Sequence, residues 1–428
     1  MIKSRHVYTL LLWVLLPSVF WHLFKRSRRQ PAYLEHVAER FGDYGDQPAP
    51  SQKPIIWLHA VSVGETRAVA PLVERLLEAY PQHQILLTHM TPTGREAGRE
   101  LYGDKVLQCY LPYDFPFAVE RFLHHFKPVI GMLMETEIWF NLIEACKQKN
   151  IPLLLVNARM SEKSAIKYAR FGALTHASLH ALRAIAAQTQ ADADRLSALG
   201  ALAVQVTGNL KFDISPPSAS LALGAELRQR FGKGRPVFLA ASTREGSGEG
   251  EEALLLEVLE KFSVPGLLLL IVPRHPQRFD KVAALLQSRG IRFQRRSQLL
   301  PGSVVATDTQ VVLGDSMGEM FAYYAACNLA FIGGSLLPLG GQNLIEACAA
   351  GKPVLVGAHT FNFDQATEQA IVAGAALRVQ NAEELAREVS ALLSDPARLA
   401  TMSKAGFEFA AKHRGATERI MQMVKALL

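Results

Sequence analysis

Short apolar runs alternating with segments of helical pattern, in two successive series, constrain the fold of this 428-residue chain more than any other feature. The first series is IIWLHAV (55–61), QILLTHM (84–90), VLQCYL (106–111), VIGMLM (129–134) and PLLLVN (152–157), with the weaker ALRAIAAQ (181–188) and VQVTG (204–208) after it. The second is PVFLAAS (236–242), GLLLLIVP (266–273), SVVATD (303–308), NLAFIGG (328–334) and KPVLVG (352–357). Runs this short and apolar, spaced by helical segments such as 65–80 and 138–149, predict parallel strands covered on both faces. The expected fold class is α/β with two Rossmann-like, doubly wound domains, and the length leaves room for two such cores. SPPSASLALG (215–224) carries two prolines and reads as a linker between a domain at 31–214 and one at 225–428. The last twenty residues read as a terminal helix of the second domain. Ligands of such folds sit at the carboxyl ends of the strands, which predicts a cleft between the two domains as the site.

Residues 1–30 stand apart as a membrane anchor with a basic flank. Val7 to Phe24 is an eighteen-residue stretch without a formal charge, holding Trp13, Pro17 and Trp21. It reaches the lower length limit for crossing a bilayer as a helix. Lys3, Arg5, Lys25, Arg26, Arg28 and Arg29 account for six of the seven net positive charges. The rest of the chain is nearly neutral, so the basicity points to a membrane and not to nucleic acid. The KRSRR block at 25–29 after the apolar run favours a cytoplasmic body and argues against a cleaved signal. Whether the segment spans the bilayer or lies in its interface stays open. The four cysteines are isolated, as expected for reduced, buried thiols and not for zinc ligands.

Several residues at expected strand ends have the chemistry of a ligand site. HAVSVGET places Glu65 at the start of a helix, where a carboxylate either stabilises its own helix or serves as a base at a cleft mouth. METEIW puts Glu135 and Glu137 after a strand, facing a ligand or capping the next helix. VTGNLKFD puts Lys211 beyond a strand, either solvated or set to balance a phosphate. In the second half LIVPRHP places Arg274 and His275 after the most apolar run. GDSMGEM and GGSLLPLGGQNLIEA each open a helix, near Met317–Glu319 and near Asn343. Free amides at such starts suit a nucleotide phosphate, and Glu346 is spaced to share a face with Asn343 and accept ribose hydroxyls. Neither a G-x-G-x-x-G nor a P-loop motif occurs, which argues against dinucleotide and P-loop enzymes. Asp192 and Asp194 form an Asp-x-Asp inside ADADRLSALG, which reads as a plain amphipathic helix and not as a metal–diphosphate motif.

With these motifs, the chain resembles the Kdo (3-deoxy-D-manno-octulosonic acid) transferases of lipid A assembly. HAVSVGE, TPTGRE, YLPYDFP, METEIW, NARMSEKS, TGNLKFD, ASTREG, VPRHPQRF, GDSMGE, FIGGSLLPLGGQN and GKPVLVGAHTFNFD run in order from residue 59 to 364. The resemblance implies a metal-independent, inverting GT-B enzyme that needs no cofactor and moves Kdo from CMP-Kdo to a lipid A precursor at the bacterial inner membrane. It implies Glu65 as proton acceptor, with Glu137 and Lys211 supporting the transition state. It implies CMP binding by Pro273, Arg274 and His275, by Met317, Gly318 and Glu319, and by Asn343, Leu344, Ile345 and Glu346. The sequence departs from the family pattern at ASTREGSGEGEE, which is longer and carries Arg244, and at GGQNLIEACAAG, which lacks a proline. The alternatives are another envelope GT-B transferase using a different nucleotide sugar, and a non-catalytic, membrane-tethered nucleotide-binding relative.

Overall fold

The computed structural model describes residues 5–28, 30–45, 52–246, 248–300 and 302–428; Lys3 and Arg29 of the expected basic flank and Ser247 lie outside the described residues. The chain forms two compact units, one of Met1–Asp213 with His413–Leu428 and one of Ile214–Lys412.

The first unit is built on a seven-stranded sheet of β1 (Ile55–His59), β2 (Gln84–His89), β3 (Leu107–Tyr110), β4 (Pro128–Met134), β5 (Leu153–Ala158), β6 (Ala184–Ala187) and β7 (Val204–Val206). The order is β3-β2-β1-β4-β5-β6-β7, and every neighbouring pair is parallel. Every residue of β1 is buried, because both faces of the sheet are covered by helices. Its alternation sends Ile55 and Trp57 into one apolar layer and Ile56 and Leu58 into the other. The strand order reverses between β1 and β4, so the loops leaving these two strands diverge and open a crevice at their carboxyl ends.

The second unit repeats the plan with β8 (Val237–Thr243), β9 (Leu268–Pro273), β10 (Phe293–Arg295), β11 (Val311–Leu313), β12 (Leu329–Ile332), β13 (Val354–Val356) and β14 (Ala376–Arg378). Its order is β10-β11-β9-β8-β12-β13-β14, again all parallel, with the reversal between β8 and β12.

Four sequence expectations change. The helix expected over 65–80 is two helices, Val63–Ala68 and Ala70–Ala79, because Pro71 has no amide hydrogen to continue the ladder. The expected linker 215–224 runs into the helix Ser218–Phe231: the prolines only precede its first turn, where a missing N–H costs nothing. SVVATD (303–308) is not a strand; that position in the sheet is taken by β11 downstream. Finally, the terminal helix does not belong to the second unit. Ala416–Lys425 packs Ala416, Ile420, Met421 and Val424 among Val69, Leu72, Val73 and Leu76 of the first. The Asp213 carboxylate accepts from the Gly415 and Thr417 amides, and Arg419 Nε donates to the Thr207 carbonyl at 2.8 Å.

A buried ion pair ties the chain ahead of β1 to the sheet. Arg95 donates both terminal nitrogens to Glu39, at 2.9 and 3.2 Å, and Glu39 also accepts from the Tyr110 amide at 2.7 Å. Both side chains are buried. Arg95→Met leaves Glu39 charged and under-partnered in the interior, so it is expected to cost about 3–5 kcal/mol, read as a fall in the urea midpoint of tryptophan fluorescence.

Candidate active site

In the first unit the expected site residues gather at the reversal point. β1 ends at His59, and the chain turns through Val61 and Ser62 into the short helix carrying Glu65 in its first turn. The Glu65 carboxylate folds back: Oε2 accepts from the Val61 amide at 2.9 Å and Oε1 from the Ser62 hydroxyl at 3.1 Å. This is close to a capping box, so the helix-start reading holds as a structural role. Electrostatics adds a second role. Burial pushes the Glu65 carboxyl up to about 7; the Val61 amide opposes this, and the charges of Glu135 and Glu137 push it further.

Glu135 and Glu137 leave the carboxyl end of β4, beside β1. Glu135 adopts a left-handed backbone (φ 55°), an unfavourable conformation for a residue with a Cβ, held by its amide on the Val156 carbonyl at 3.0 Å. Its Oε1 lies 4.0 Å from Lys211 Nζ. Glu137 accepts from Trp139 Nε1 at 2.5 Å, and burial pushes its carboxyl upward. Neither acid starts the next helix, Phe140–Gln148. Three carboxylates and one ammonium therefore converge on one strand-end crevice. An array of this kind can hold one carboxyl near neutrality, ready to take a proton.

Lys211 reaches this crevice through a polar brace. The buried Asn157, also left-handed (φ 51°), accepts from the Leu210 amide at 3.0 Å through Oδ1. Gln188 donates to the Asn157 carbonyl at 2.9 Å and accepts from Asn209 at 3.0 Å, while Asn209 Oδ1 caps the Lys211 amide at 2.9 Å. Asp192 and Asp194 lie elsewhere and are engaged structurally: Asp192 accepts from the Met160 amide in the loop after β5 at 2.8 Å, and Asp194 from Gln190 within its own helix at 2.8 Å.

In the second unit, the loops leaving β8 and β12 are knitted together by an acid. Glu251, fully buried, accepts from the amides of Arg244 (3.0 Å), Gly334 (2.6 Å), Ser335 (3.0 Å) and Leu336 (3.0 Å). Three amides at the beginning of the glycine-rich loop, directly after β12, thus already hold an internal carboxylate. Beside it the buried Glu252 pairs with both terminal nitrogens of Arg278 at 2.8 Å and accepts from the Thr243 hydroxyl at 2.5 Å.

Arg274 and His275 follow β9, next to β8. His275 is held below its ordinary value by burial and by the guanidinium groups of Arg274, Arg244 and Arg278, which marks a positive field after Pro273. Met317 is exposed, and Gly318 takes φ 77°, a turn that favours glycine. Glu319 is engaged by Arg296 at 3.0 Å and Ser316 at 2.5 Å, and it precedes the helix Met320–Ala326. Asn343 donates to Glu346 at 3.0 Å and caps the Ile345 amide at 3.0 Å. The Leu344 and Ile345 side chains are buried, leaving only their backbone for a ligand.

The profile of the family described as 3-deoxy-D-manno-octulosonic-acid transferase (kdotransferase) matches residues 35–214, and that of glycosyl transferases group 1 matches residues 303–409. The 3-deoxy-D-manno-octulosonic acid transferase of Bordetella pertussis is 45% identical over 437 residues, covering 99% of both chains. This chain belongs to the Kdo transferase family. It is accordingly a glycosyltransferase. The enzyme of the same name from Haemophilus influenzae is 38% identical over 99% of both chains. Among solved structures, the Neisseria meningitidis UDP-GlcNAc 2-epimerase superposes with a TM-score of 0.58 at 17% identity, covering 87% of this chain and 100% of that one. A Rickettsia africae glycosyltransferase gives 0.57 at 16% identity, with coverage of 88% and 99%. These two show the fold, of GT-B type.

For this Kdo transferase, sequence reading named Glu65, Glu137 and Lys211, which the fold brings to one crevice. It left out three things. Glu135 was seen but not given its place as the partner of Lys211. The Asn157–Gln188–Asn209 brace has only a weak signal, an asparagine at the very end of an apolar strand. Glu251 and Glu252 sit in GEGEEALLL, where nothing in the local pattern marks an acid as buried.

Proposed function

We propose that this family member transfers Kdo from CMP-Kdo to a hydroxyl of a lipid A precursor by direct, metal-independent displacement with inversion, Glu65 being the base. In that reaction the acceptor oxygen forms the new glycosidic bond as the bond from the sugar to the CMP phosphate breaks. The acceptor proton passes to Glu65, and the electron pair leaves with CMP. The observation that carries this reading is the Glu65 carboxyl, raised to about 7 among Glu135, Glu137 and Lys211 at the reversal point of the first sheet. A base titrating there is ionised often enough to accept the proton and basic enough to draw it. Lys211 balances negative charge on the donor sugar, and Glu137 orients the attacking group. In the second unit the guanidinium groups of Arg244 and Arg274, which act on His275, suit the CMP phosphate. Gly318 and the Asn343–Glu346 pair suit its nucleoside. The apolar helix Arg5–Ser27, with Lys25 and Arg26 in its last turn, supports an inner-membrane site of action with the body on the cytoplasmic side.

The test is incubation of the purified full chain with CMP-Kdo and a tetra-acylated lipid A precursor, with product masses read by mass spectrometry. The proposal expects the acceptor to gain one or more Kdo units. Transfer from a UDP-sugar but not from CMP-Kdo would overturn the donor assignment.

A further inference from the structure

The N-terminal helix Arg5–Ser27 does not leave the body of the first unit at any point along its length. Arg5, Tyr8, Thr9, Leu12, Leu16, Val19, Leu23 and Ser27 recur at helical spacing and are the covered residues of the helix. The contacts begin at its first turn, where Arg5 lies 3.4 Å from Glu144 and the Tyr8 hydroxyl donates to the buried Asp114 at 3.0 Å. They continue through Trp13 against Phe115 (4.9 Å between ring centres) and Phe20 against Phe41 (5.7 Å), and end at the buried Leu23 and Ser27. On the opposite face Leu10, Val14 and Trp21 are 64%, 67% and 65% exposed. That apolar face continues onto the body through the half-exposed Phe117, stacked 5.8 Å from Trp13, and it ends at the exposed Lys25, Arg26 and Arg28.

A helix of 23 residues is about 35 Å long, enough to cross the hydrocarbon of a bilayer. Crossing, however, would carry Glu144, Asp114 and Asn141 into lipid, or would strip the helix from the body and expose the Phe115, Phe41 and Asp114 surface beneath it. Ionisable groups and irregular backbone facing hydrocarbon are costly. We propose that the helix lies in the plane of one leaflet, its Leu10–Val14–Trp21 face in the acyl boundary and its basic end on anionic headgroups, so that the enzyme is monotopic and both ends of the helix stay on the side of the body. The occupant of the exposed face is the lipid surface itself. An ordinary interfacial helix turns a polar face to water; here the body takes that position, which explains why the segment is apolar all round. This inference rests on the membrane reading above and sharpens it.

Two measurements on the full chain separate the two claims. Vesicles of phosphatidylethanolamine and phosphatidylglycerol are floated with the protein, and a cysteine-bearing N-terminal tag is probed in intact spheroplasts with a membrane-impermeant maleimide. The expected result is co-flotation, with the tag labelled only after lysis. Leu10→Glu and Trp21→Glu, at exposed positions, are each expected to lower vesicle binding about tenfold or more with unchanged circular dichroism. Labelling in intact spheroplasts, with co-flotation retained, would overturn the in-plane arrangement and leave membrane association standing. Failure to co-float would overturn membrane association itself.

Discussion

Glu65→Gln is expected to lower the turnover of Kdo transfer by about 10²–10⁴-fold, the range that a positioned general base contributes, while leaving CMP-Kdo binding within about twofold. Glutamine keeps the shape of the side chain and one acceptor oxygen for the Val61 amide at 2.9 Å, so the first turn of its helix survives. What it removes is the ability to take a proton. A comparable loss of CMP-Kdo binding would instead assign Glu65 to holding the turn. Glu137→Gln separates the two acids, because Glu137 is oriented by Trp139 and is expected to lose less turnover than Glu65 does.

Glu251→Ala is expected to lower the stability of the second unit by about 4–6 kcal/mol. It strips four backbone amides of their shared acceptor in a fully buried place, and each orphaned donor costs about 1–3 kcal/mol before relaxation and water entry recover part of it. Glu251→Gln fits the space but points an N–H₂ group at two of those amides, so it is expected to fall between alanine and wild type. Tryptophans 13, 21, 57 and 139 all lie in the first unit, so fluorescence follows that unit alone while far-ultraviolet circular dichroism follows both. The expected outcome is a new low-denaturant transition in circular dichroism with the fluorescence midpoint unchanged. CMP affinity falls with it, since the β8 and β12 loops lose their common anchor.

The strands that build both reversal points were legible because a strand covered on both faces must be apolar throughout, as in IIWLH and LLLIVP. β10 (FQR) and β14 (ALR) were not, since so short a strand with polar residues shows no apolar run, and β11 (VVL) was passed over for SVVATD just upstream. The terminal helix was legible as a helix, yet its apolar stripe does not say which sheet it covers; only the Asp213 and Arg419 contacts decide that. Glu65, Glu137 and Lys211 were legible as strand-end residues. Their convergence was not, because it needs β1 and β4 to be neighbours, a matter of topology across about seventy residues. Glu251 was not legible for a related reason: its partners come from a loop more than eighty residues away. The N-terminal helix hid its orientation, because the face that packs on the body and the face left exposed are both apolar.

The most direct test of Glu65 as base is the pH dependence of single-turnover transfer with saturating CMP-Kdo. The ionised carboxylate is the active form, so the rate should rise with pH as the proton leaves, along a one-proton acid limb centred near 7, where burial and the Glu135 and Glu137 charges place this group. In Glu65→Gln the residual rate should lose that limb. A limb that persists at the same midpoint in Glu65→Gln would contradict the account and move the base to another residue of the crevice.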